Sequence, residues 1–473
     1  MKEEAAMTIP ARDALETLWS GLSLPADALP NLLIEGEEPV LPSSFAIGTA
    51  AAVSIGAAGL AAAEIFARRG GARQAVAISM RDAAIEFRSE RYLRVGGGEA
   101  PELWDPIAGL YPCGDGGFVR LHTNFAHHRA GVVRILGCED TKEAVAEALL
   151  RWKALDFETA ASEAGMVVAA LRSKAEWDAT PQARALAAEP LIAIDRIGDA
   201  PPTPLPPGRR PLEGLRVLEL ARIIAGPVAG RVLAAHGAEV LQISAPHLPQ
   251  IDTTVIDNGR GKRTARLDLR HEADRAQLKA LAASGDVFLQ SYRPGALAAR
   301  GFGAEELAAE RPPAAPGIVH ASLSAYGFSG PWAMKRGFDS LTQTTTGINR
   351  DEADAAGQAT PRALPAQALD HAGGTLLALG IMAALLRRAE EGGSWRVRVS
   401  LARTGLWLRS LGRVENGFSA PDPKLEDVQD RIEQSESGYG KLTAVRHAAR
   451  LAETPAYWDG PAMPLGSHAP QWQ

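Results

Sequence analysis

The chain has little cysteine and no concentration of charge of one sign. Its 473 residues include only two cysteines, Cys113 and Cys138. These are too few for a disulfide framework or a cysteine-based zinc site, so the reducing cytoplasm is the expected location. The net charge of −6 comes from 50 basic and 56 acidic residues that are mixed along the chain. This balance gives no general attraction for nucleic acid or an anionic membrane, so neither is an expected partner and any basic site must be local.

The sequence also lacks an apolar leader and a strongly lipophilic run. Its first residues, MKEEAAMTIPARDALE, are charged and contain no hydrophobic core of a secretory signal. Residues 44–62, SFAIGTAAAVSIGAAGLAA, are uncharged and nearly long enough to cross a bilayer. Alanine and glycine dominate this run, and both are only weakly lipophilic. The run therefore predicts a buried, closely packed helix rather than a membrane span.

A dinucleotide fingerprint is missing as well, although strand and helix patterns alternate in the second half. No G-x-G-x-x-G occurs, which argues against NAD. Apolar runs at Arg216 to Leu220 and Glu239 to Ile243, and then ARLDLR, DVFLQSY and GIVHASLSAYG, are separated by helix-compatible stretches. This alternation predicts an α/β fold, with a parallel sheet covered on both faces in a doubly wound domain from Leu212 to Gly330.

Length and proline content predict more than one structural unit. A chain of 473 residues exceeds what one hydrophobic core usually supports. Residues 199–211, DAPPTPLPPGRRP, form a stiff and polar stretch that is typical of a linker. We therefore expect one unit over residues 1–198 and a second over residues 212–420, with residues 421–473 as a C-terminal extension.

Two segments of the chain resemble each other. Residues 50–80 and 371–401 align at an offset of 400 − 79 = 321. At this offset, identical residues pair as Gly59 with Gly380, Gly71 with Gly392, Val76 with Val397, and Ser79 with Ser400. Each copy has the pattern of an alanine-rich helix, a glycine turn and a β-strand, which indicates an internal repeat.

The second half of the chain resembles a known family. PLEGLRVLELARIIAGPVAGRVLAAHGAEVLQI is similar to the opening of the class III CoA-transferases and their relatives, the 2-methylacyl-CoA racemases. NGRGKRTARLDLR, DVFLQSYRPGALAARGFG and HASLSAYGFSGPWAMKRGFDSLTQTTTG resemble the family's next motifs in the same order. Several ordered motifs are a more specific signal than any one of them. The resemblance implies a doubly wound CoA-binding domain with a smaller α+β domain.

The first half resembles the remaining part of the same family. AISMRDAAIEF is similar to the family's VDVSMLDAAL, WDPIAGLYPCGDGGFVRLHT to the segment that opens its smaller domain, and RSKAEWDATPQARAL to its closing helices. The family's second half therefore comes first in this chain, and the overlapping helix and strand occur twice. The resemblance predicts a rearranged and partly duplicated order of domains.

Asp339 is the candidate catalytic residue. It lies in KRGFDSLTQTTTG, and an aspartate before a polar run commonly caps a helix or a turn. The resemblance implies instead that its carboxylate attacks the thioester carbonyl of an acyl-CoA, giving an acyl-aspartyl anhydride and then an aspartyl-CoA thioester. A carboxylate is ionised at neutral pH and needs no base, provided that the site excludes water and supplies N–H donors. Both roles stay open at this point.

Further residues are candidates for contact with CoA, because they lie in basic or glycine-rich turns or match the family's motifs. They are Ala225, Gly226 and Pro227 in the first βα turn, Arg260, Lys262 and Arg263 in a basic turn, Ser291, Gly327, and Gly96, Gly97 and Gly98. The alternative interpretation of GRGKR is a solvated basic turn, and that of VGGGE is a flexible surface hairpin.

Several positions depart from the family pattern. Phe338 stands where the racemases have a histidine, and Asp370 matches their second acid but also begins a helix, where it can act as a cap. Thr49 occupies the same position in the N-terminal copy, and Ser291 replaces an asparagine. One base of a two-base proton exchange is therefore missing, so a transferase is favoured over an isomerase or racemase. A non-catalytic acyl-CoA-binding homologue also stays open.

The expected function is transfer of CoA from an acyl-CoA to a carboxylic acid acceptor, with acyl-CoA as a substrate. His122, His127 and His128 in HTNFAHHRA lack nearby acids at ligand spacing and are expected at the surface or at an interface, so no metal is predicted. The resemblance implies a homodimer. No motif specifies the acyl group or the acceptor.

Overall fold

A computed structural model describes residues 8–473 of the chain. Its helices are α1 Ala11–Gly21, α2 Ile47–Arg68, α3 Met80–Glu86, α4 Ser89–Tyr92, α5 Ala126–Leu136, α6 Lys142–Leu149, α7 Ala154–Glu163, α8 Lys174–Asp178, α9 Pro181–Ala187, α10 Ala225–Ala235, α11 Asp252–Asn258, α12 Glu272–Ser284, α13 Ala304–Ala309, α14 Asp339–Thr345, α15 Ile348–Ala355, α16 Ala368–Glu391 and α17 Leu401–Ser410. Its strands are β1 Leu32–Glu35, β2 Val76–Ser79, β3 Arg94–Val95, β4 Gly98–Glu99, β5 Gly109–Pro112, β6 Phe118–Leu121, β7 Val168–Ala170, β8 Ala193–Gly198, β9 Arg216–Leu220, β10 Glu239–Ser244, β11 Lys262–Arg266, β12 Val287–Gln290, β13 Val319–Ser324, β14 Ser394–Ser400, β15 Ile432–Ser435, β16 Leu442–Val445 and β17 Arg450–Leu451.

A seven-stranded sheet forms the centre of the molecule. Its order is β11-β10-β9-β12-β13-β14-β8, in which β9 to β14 are parallel and β8 is antiparallel at one edge. Counted along the chain, the six parallel strands have the order 3-2-1-4-5-6 of a doubly wound sheet. Helices α10 and α16 cover one face and α12 and α13 the other. The predicted α/β class is confirmed.

The internal repeat appears in the secondary structure. Helix α2 begins at Ile47 and α16 at Ala368, and 368 − 47 = 321 is the offset found in the sequence. A Cβ added to Gly59 would lie 3.3 Å from Val76 Cγ1, and one added to Gly380 would lie 2.6 Å from Val397 Cγ1. Both glycines therefore let the helix pack closely under the strand that follows it.

The repeat extends to strand order. Strand β2 lies between β1, which is parallel to it, and β17, which is antiparallel to it. Strand β14 lies in the same way between parallel β13 and antiparallel β8. The three-stranded sheet β1-β2-β17 thus repeats the arrangement at one end of the large sheet, although its outer strands come from distant parts of the chain.

Within residues 8–473, two helices have the length and hydropathy of a membrane span. They are Ile47–Arg68 and Ala368–Glu391, and 89% and 100% of their most apolar windows are buried inside the protein. Helix α2 packs against α16, and α16 also packs against α10. The predicted close packing of the alanine-rich run is therefore present.

A smaller unit packs against the helix that begins at Asp339. Strands β5, β6 and β7 form an antiparallel sheet whose outer face is covered by helices α5, α6 and α7. On its other face, Val167 and Ala169 pack against Leu341 of α14. This contact brings the end of β6, at His122, to the neighbourhood of Asp339.

The C-terminal residues lie along the free edge of the large sheet. The N–H of Gly261 donates to Gly460 O at 2.8 Å, and the N–H of His468 donates to Thr264 O at 2.8 Å. Trp458 packs on Gly261, and its ring lies 4.1 Å from the Arg260 guanidinium. The segment covers an edge strand, β11, that would otherwise expose unpaired backbone groups.

Candidate active site

Asp339 is the first residue of α14, and its side chain is 0% exposed. Its Oδ2 accepts the backbone N–H groups of Leu369 at 2.8 Å and Asp370 at 2.9 Å. Its Oδ1 accepts a hydrogen bond from the side-chain amide of Gln343. The N–H donors belong to the first turn of α16, so the carboxylate caps this second helix and joins it to α14.

Burial has the largest effect on the ionisation of this carboxylate. It raises the pKa of Asp339 to about 6, against the opposing effect of the hydrogen bonds from Asp370, Gln343 and Leu369. Burial, together with the charges of Asp339 and Glu90, raises the pKa of Asp370 well above its ordinary value. The site therefore holds two neighbouring buried carboxyl groups whose pKa values are both raised, with that of Asp339 still below neutral pH.

A small cavity adjoins Asp339 and is called the inner cavity here. Its wall includes Trp104, His122, Asn124, Thr254, Asp339 and Asp370, and its volume is about 20 Å³. One water molecule needs about 10–15 Å³ by this measure. The inner cavity therefore has room for one water-sized group and is too small for an acyl thioester.

A larger pocket of about 380 Å³, called the outer pocket, lies at the carboxyl ends of β9, β12 and β13. Its wall includes Arg222, His128, Ser291, Arg293, Arg336 and Phe338. Strands β9 and β12 are neighbours in space but first and fourth in chain order, so the outer pocket occupies the topological switch point where doubly wound sheets bind ligands. Three arginines on its wall favour an anionic ligand.

Phe338 and Ile223 separate the two spaces, since both line the outer pocket and the inner cavity. The ring of Phe338 stacks on His122 with 3.8 Å between centroids and 10° between planes. Ile223 has a φ of +73°, which is strained for a β-branched residue. The wall between pocket and carboxylate is thus made of an aromatic stack and a strained turn.

Glu38 repeats the capping role of Asp339 in the N-terminal copy. Its Oε1 accepts the backbone N–H of Thr49 at 2.7 Å, in the first turn of α2. Thr49 is the counterpart of Asp370, because 370 − 321 = 49. Burial raises the pKa of Glu38 as it raises that of Asp339. Of these two carboxylates, Asp339 is the one on the wall of the inner cavity.

The predicted turn at Ala225, Gly226 and Pro227 forms the buried first turn of α10 at the switch point. A Cβ on Gly226 would lie 2.5 Å from Ala221 Cβ and 2.9 Å from Ser291 Oγ, so only glycine permits this approach of the two strand ends. Ser291 itself lines the outer pocket, as expected for a residue near the ligand.

The basic turn is engaged within the protein. Lys262 is buried and forms an ion pair with Glu219 at 2.7 Å, and Arg260 is buried and forms an ion pair with Asp257 at 3.4 Å. Arg263 contacts Glu239 at 3.4 Å. These contacts are internal to the fold, so the structure does not support contact between this turn and a phosphate.

The predicted glycines lie away from both spaces. Gly96 and Gly97 form the exposed turn between β3 and β4, Gly98 begins β4, and Gly327 makes a buried turn whose N–H donates to Ser324 Oγ at 3.0 Å. The surface hairpin interpretation describes residues 96–98. The N–H donors that Asp339 uses come instead from Leu369 and Asp370.

Two side chains at the site were not identified from the sequence. Gln343 holds Asp339, and its Oε1 accepts from Asn349 Nδ2 at 3.0 Å. His122 is 4% exposed on the wall of the inner cavity, and His128 is 4% exposed beside the outer pocket. Both are buried, so a position at the surface is excluded for these two, and the alternative of a position at an interface stays a prediction. The position of His122 directly after the alternating strand FVRL was the available signal.

Among residues 8–473, no group of three or more His, Cys, Asp or Glu side chains is placed to hold a metal ion.

Comparisons with known proteins identify relatives of the second half. Residues 212–434 match the family model described as CoA-transferase family III. A probable fatty acyl-CoA transferase of Mycobacterium tuberculosis is 32% identical over 259 residues, which cover 52% of this chain and 64% of that protein. A formyl-CoA:oxalate CoA-transferase of Streptomyces coelicolor is 29% identical over 251 residues, which cover 48% of this chain and 58% of that protein.

One solved structure is similar over part of the chain. It is the crystal structure of a hypothetical protein from Mycobacterium tuberculosis, with 33% identity, a TM-score of 0.39, and coverage of 43% of this chain and 58% of that chain. The chain thus spans less than two thirds of the length of each of these relatives.

Proposed function

We propose that the chain transfers CoA from an acyl-CoA to a carboxylic acid, with Asp339 as the nucleophile, because residues 212–434 match the model of CoA-transferase family III. One observation carries the proposal. The Asp339 carboxylate is fully buried beside the inner cavity, next to a pocket at the switch point of the sheet. A desolvated carboxylate that is ionised at neutral pH is suited to attack a thioester.

The reaction proceeds through two kinds of intermediate. An Asp339 oxygen bonds to the thioester carbon, the carbon–sulfur bond breaks, and the CoA thiolate leaves an acyl-aspartyl anhydride. The thiolate then attacks the Asp339 carbonyl, which releases the first acid and leaves an aspartyl-CoA thioester. The acceptor carboxylate displaces this thiolate to give a second anhydride, and the returning thiolate takes the new acyl group and frees Asp339. No step consumes water or a redox equivalent.

The outer pocket is the proposed place for CoA. Arg222, Arg293 and Arg336 supply the cations that its phosphate groups need. The thioester end must then pass Phe338, Ile223 and His122 to reach the carboxylate, because the inner cavity has room for only a water-sized group. Substrate binding is therefore expected to displace the strained turn at Ile223.

Trapping of the covalent intermediate tests the proposal. The purified protein is mixed with acyl-CoA donors, quenched with hydroxylamine, and analysed by peptide mass spectrometry. We expect a hydroxamate at Asp339 in the wild type and none in Asp339→Asn, with a loss of transfer rate of more than about 10³-fold. Absence of a wild-type adduct across a panel of donors and acceptors would reject the nucleophilic role.

Glu38→Gln is the matched control for helix capping. Asp339 and Glu38 both accept N–H groups at the start of a repeated helix, and both substitutions keep an accepting oxygen. Because Glu38 does not line the inner cavity, this variant should form the adduct at the wild-type rate. Equal losses of rate in both variants would show that capping, rather than chemistry, explains the effect of Asp339→Asn.

A non-catalytic acyl-CoA-binding protein is the second candidate, because the inner cavity is too small for a thioester. It is distinguished by saturable binding of CoA without any adduct at Asp339. An isomerase or racemase is the third, favoured by the second buried carboxyl group, Asp370, whose pKa is raised beside Asp339. This activity would appear as deuterium exchange at the α-carbon of an acyl-CoA in D₂O.

A further inference from the structure

His122 reaches the candidate site from the small antiparallel sheet. It follows β6 and shares the wall of the inner cavity with Asn124, Asp339 and Asp370. Its backbone N–H donates to Val167 O at 3.1 Å, and its ring stacks on Phe338. The imidazole is therefore fixed in orientation beside the residue that precedes the nucleophile.

The imidazole is buried without a hydrogen bond at Nδ1. The residue is 4% exposed, and Nδ1 has no partner among the residues that the structure describes. Burial lowers the pKa of His122 to about 3, and the charge of Arg120 adds to this effect, so the ring is neutral at physiological pH. A neutral imidazole has one N–H donor and one acceptor nitrogen. A buried polar group without a partner is costly, which indicates that a ligand atom completes this site.

The inner cavity matches the space that a thioester oxygen needs. Its volume of about 20 Å³ accommodates one oxygen atom with its contacts. When the carbonyl carbon meets the Asp339 carboxylate, the carbonyl oxygen must enter the adjoining space. Negative charge develops on that oxygen, and a positioned donor there speeds acyl transfer. The N–H groups of Leu369 and Asp370 are already bonded to Asp339.

We propose that His122 is a catalytic residue of this site: its ring N–H donates a hydrogen bond to the thioester oxygen while Asp339 attacks the carbonyl carbon. The inference rests on the proposed function. As the oxygen–carbon bond forms, the carbonyl π electrons move to the oxygen held by His122. They return when the carbon–sulfur bond breaks and the CoA thiolate departs. The proton stays on His122 throughout.

His122→Phe tests this role, because phenylalanine retains the stack on Phe338 but has no N–H. Single-turnover formation of the Asp339 adduct is measured after rapid mixing with acyl-CoA, and CoA affinity is measured by calorimetry. We expect the rate constant to fall about 10²–10³-fold, as for loss of one oxyanion donor, with CoA affinity unchanged. His122→Gln, which retains a donor, should recover part of the rate. An adduct formed by His122→Phe within about threefold of the wild-type rate would overturn the proposal.

His320→Phe is the matched control. His320 is also a buried histidine, and its ring stacks on Phe288 with 5.3 Å between centroids and 14° between planes, on β13 away from both spaces. This variant should retain the wild-type rate. If it loses as much rate as His122→Phe, the loss follows from replacing a buried ring and the donor role is rejected.

A binding measurement separates this inference from the proposed function. The probe is a ketone analogue of acyl-CoA, with a methylene between sulfur and a ¹³C-labelled carbonyl, so no CoA can leave. Its carbonyl resonance should move downfield on binding to the wild type and to His320→Phe. When the analogue binds to His122→Phe, the resonance should stay close to that of the free analogue. If His122→Phe does not fold, His122→Leu takes its place in this measurement. If the wild-type protein binds the analogue but the carbonyl resonance does not move downfield, the role of His122 is overturned. If the resonance moves downfield but the wild type forms no adduct at Asp339 with acyl-CoA, the transferase proposal alone is rejected.

Discussion

Two opposing effects act on the ionisation of the Asp339 carboxylate. Burial disfavours the ionised form, whereas the N–H groups of Leu369 and Asp370 and the amide of Gln343 favour it. Burial has the larger effect and raises the pKa to about 6. The group is therefore charged at neutral pH while it is shielded from water, which is the condition that a carboxylate nucleophile needs.

The pH dependence of adduct formation follows from this value. The protonated carboxyl group is not nucleophilic, so the rate should rise with pH, reach half its maximum near pH 6, and be constant above about pH 7. Initial rates of hydroxylamine trapping between pH 5 and 8 measure the profile. A midpoint near the ordinary aspartate value would contradict the assignment of the profile to Asp339.

Repeated elements explain why particular glycines are required. In both copies, a glycine of the long helix packs against a valine of the strand that follows it: Gly59 against Val76, and Gly380 against Val397. A side chain at either glycine would hold the helix further from the strand. The approach is tighter in the C-terminal copy, where a Cβ on Gly380 would lie 2.6 Å from Val397 and 2.7 Å from Ile192. The C-terminal copy also carries the N–H groups that hold Asp339.

Substitution of these glycines should destabilise the two copies unequally. Gly380→Ala should lower the free energy of unfolding by about 1–3 kcal/mol, because both contacts are within the sheet core and cannot move freely. Gly59→Ala should cost less, since its nearest contacts would be 3.0 Å and 3.3 Å. Gly21→Ala, which would meet nothing within 4 Å, serves as the control. Urea denaturation measures all three, and equal costs at Gly380 and Gly21 would contradict the packing argument.

Helices and strands were predictable from the sequence where a local pattern of apolar or alanine residues indicates them. The runs at Arg216 to Leu220 and Glu239 to Ile243 became β9 and β10, and the two alanine-rich stretches became α2 and α16. The pairings of β8 with β14 and of β17 with β2 were not predictable, because each joins segments far apart in sequence. An apolar run does not specify its partner strand, and these partners are set by the folded core.

Asp339, the proposed nucleophile, could be singled out from the sequence, whereas the residues around it could not. Asp339 came from an ordered set of motifs, whereas the N–H groups of Leu369 and Asp370 have no side-chain signature at all. GRGKR has the composition of a phosphate-binding turn, but folding places Lys262 against Glu219 inside the protein. Charge in a sequence shows that a partner is needed and does not show whether the partner is a ligand or another residue.

At the scale of the whole molecule, a buried network of charged groups joins the two halves of the chain. Asp257 contacts Arg231 at 2.6 Å, and Ser89 Oγ donates to Asp257 at 2.6 Å. Glu86 contacts His447 at 2.9 Å and accepts the backbone N–H of Ala448 at 2.7 Å. The network thus links α3 and α4 of the first half with α10 and α11 of the large sheet unit and with the C-terminal extension, so these parts are expected to unfold together.

The network makes acid stability depend on Glu86. Burial alone would raise its pKa, but the charges of His447 and Arg231 and the bond from Ala448 outweigh burial and lower the pKa to about 2. Because the pKa of Glu86 in the folded protein is below its ordinary value of 4.5, the ionised carboxylate stabilises the fold fully above pH 4.5. This stabilisation is lost as the pH falls toward 2. The difference between a pKa of 4.5 and one of about 2 corresponds to about 3 kcal/mol. The raised pKa of Asp339 acts with the opposite sign, so the loss below pH 4.5 belongs to groups such as Glu86.

Glu86→Gln should therefore destabilise the protein at neutral pH and not in acid. Urea unfolding at pH 7 should give a free energy about 3 kcal/mol below that of the wild type, because His447 and Arg231 lose their buried counter-charge. The difference should shrink between pH 4.5 and pH 3, because the Glu86 carboxyl group takes up a proton in the unfolded wild-type chain while it stays ionised in the folded protein, and this favours unfolding. Glu99→Gln, on the exposed hairpin of β3 and β4, should match the wild type at each pH. A difference between Glu86→Gln and the wild type that is the same at pH 7 and pH 3 would mean that Glu86 contributes through its shape and hydrogen bonds, and that its charge does not hold the two halves together.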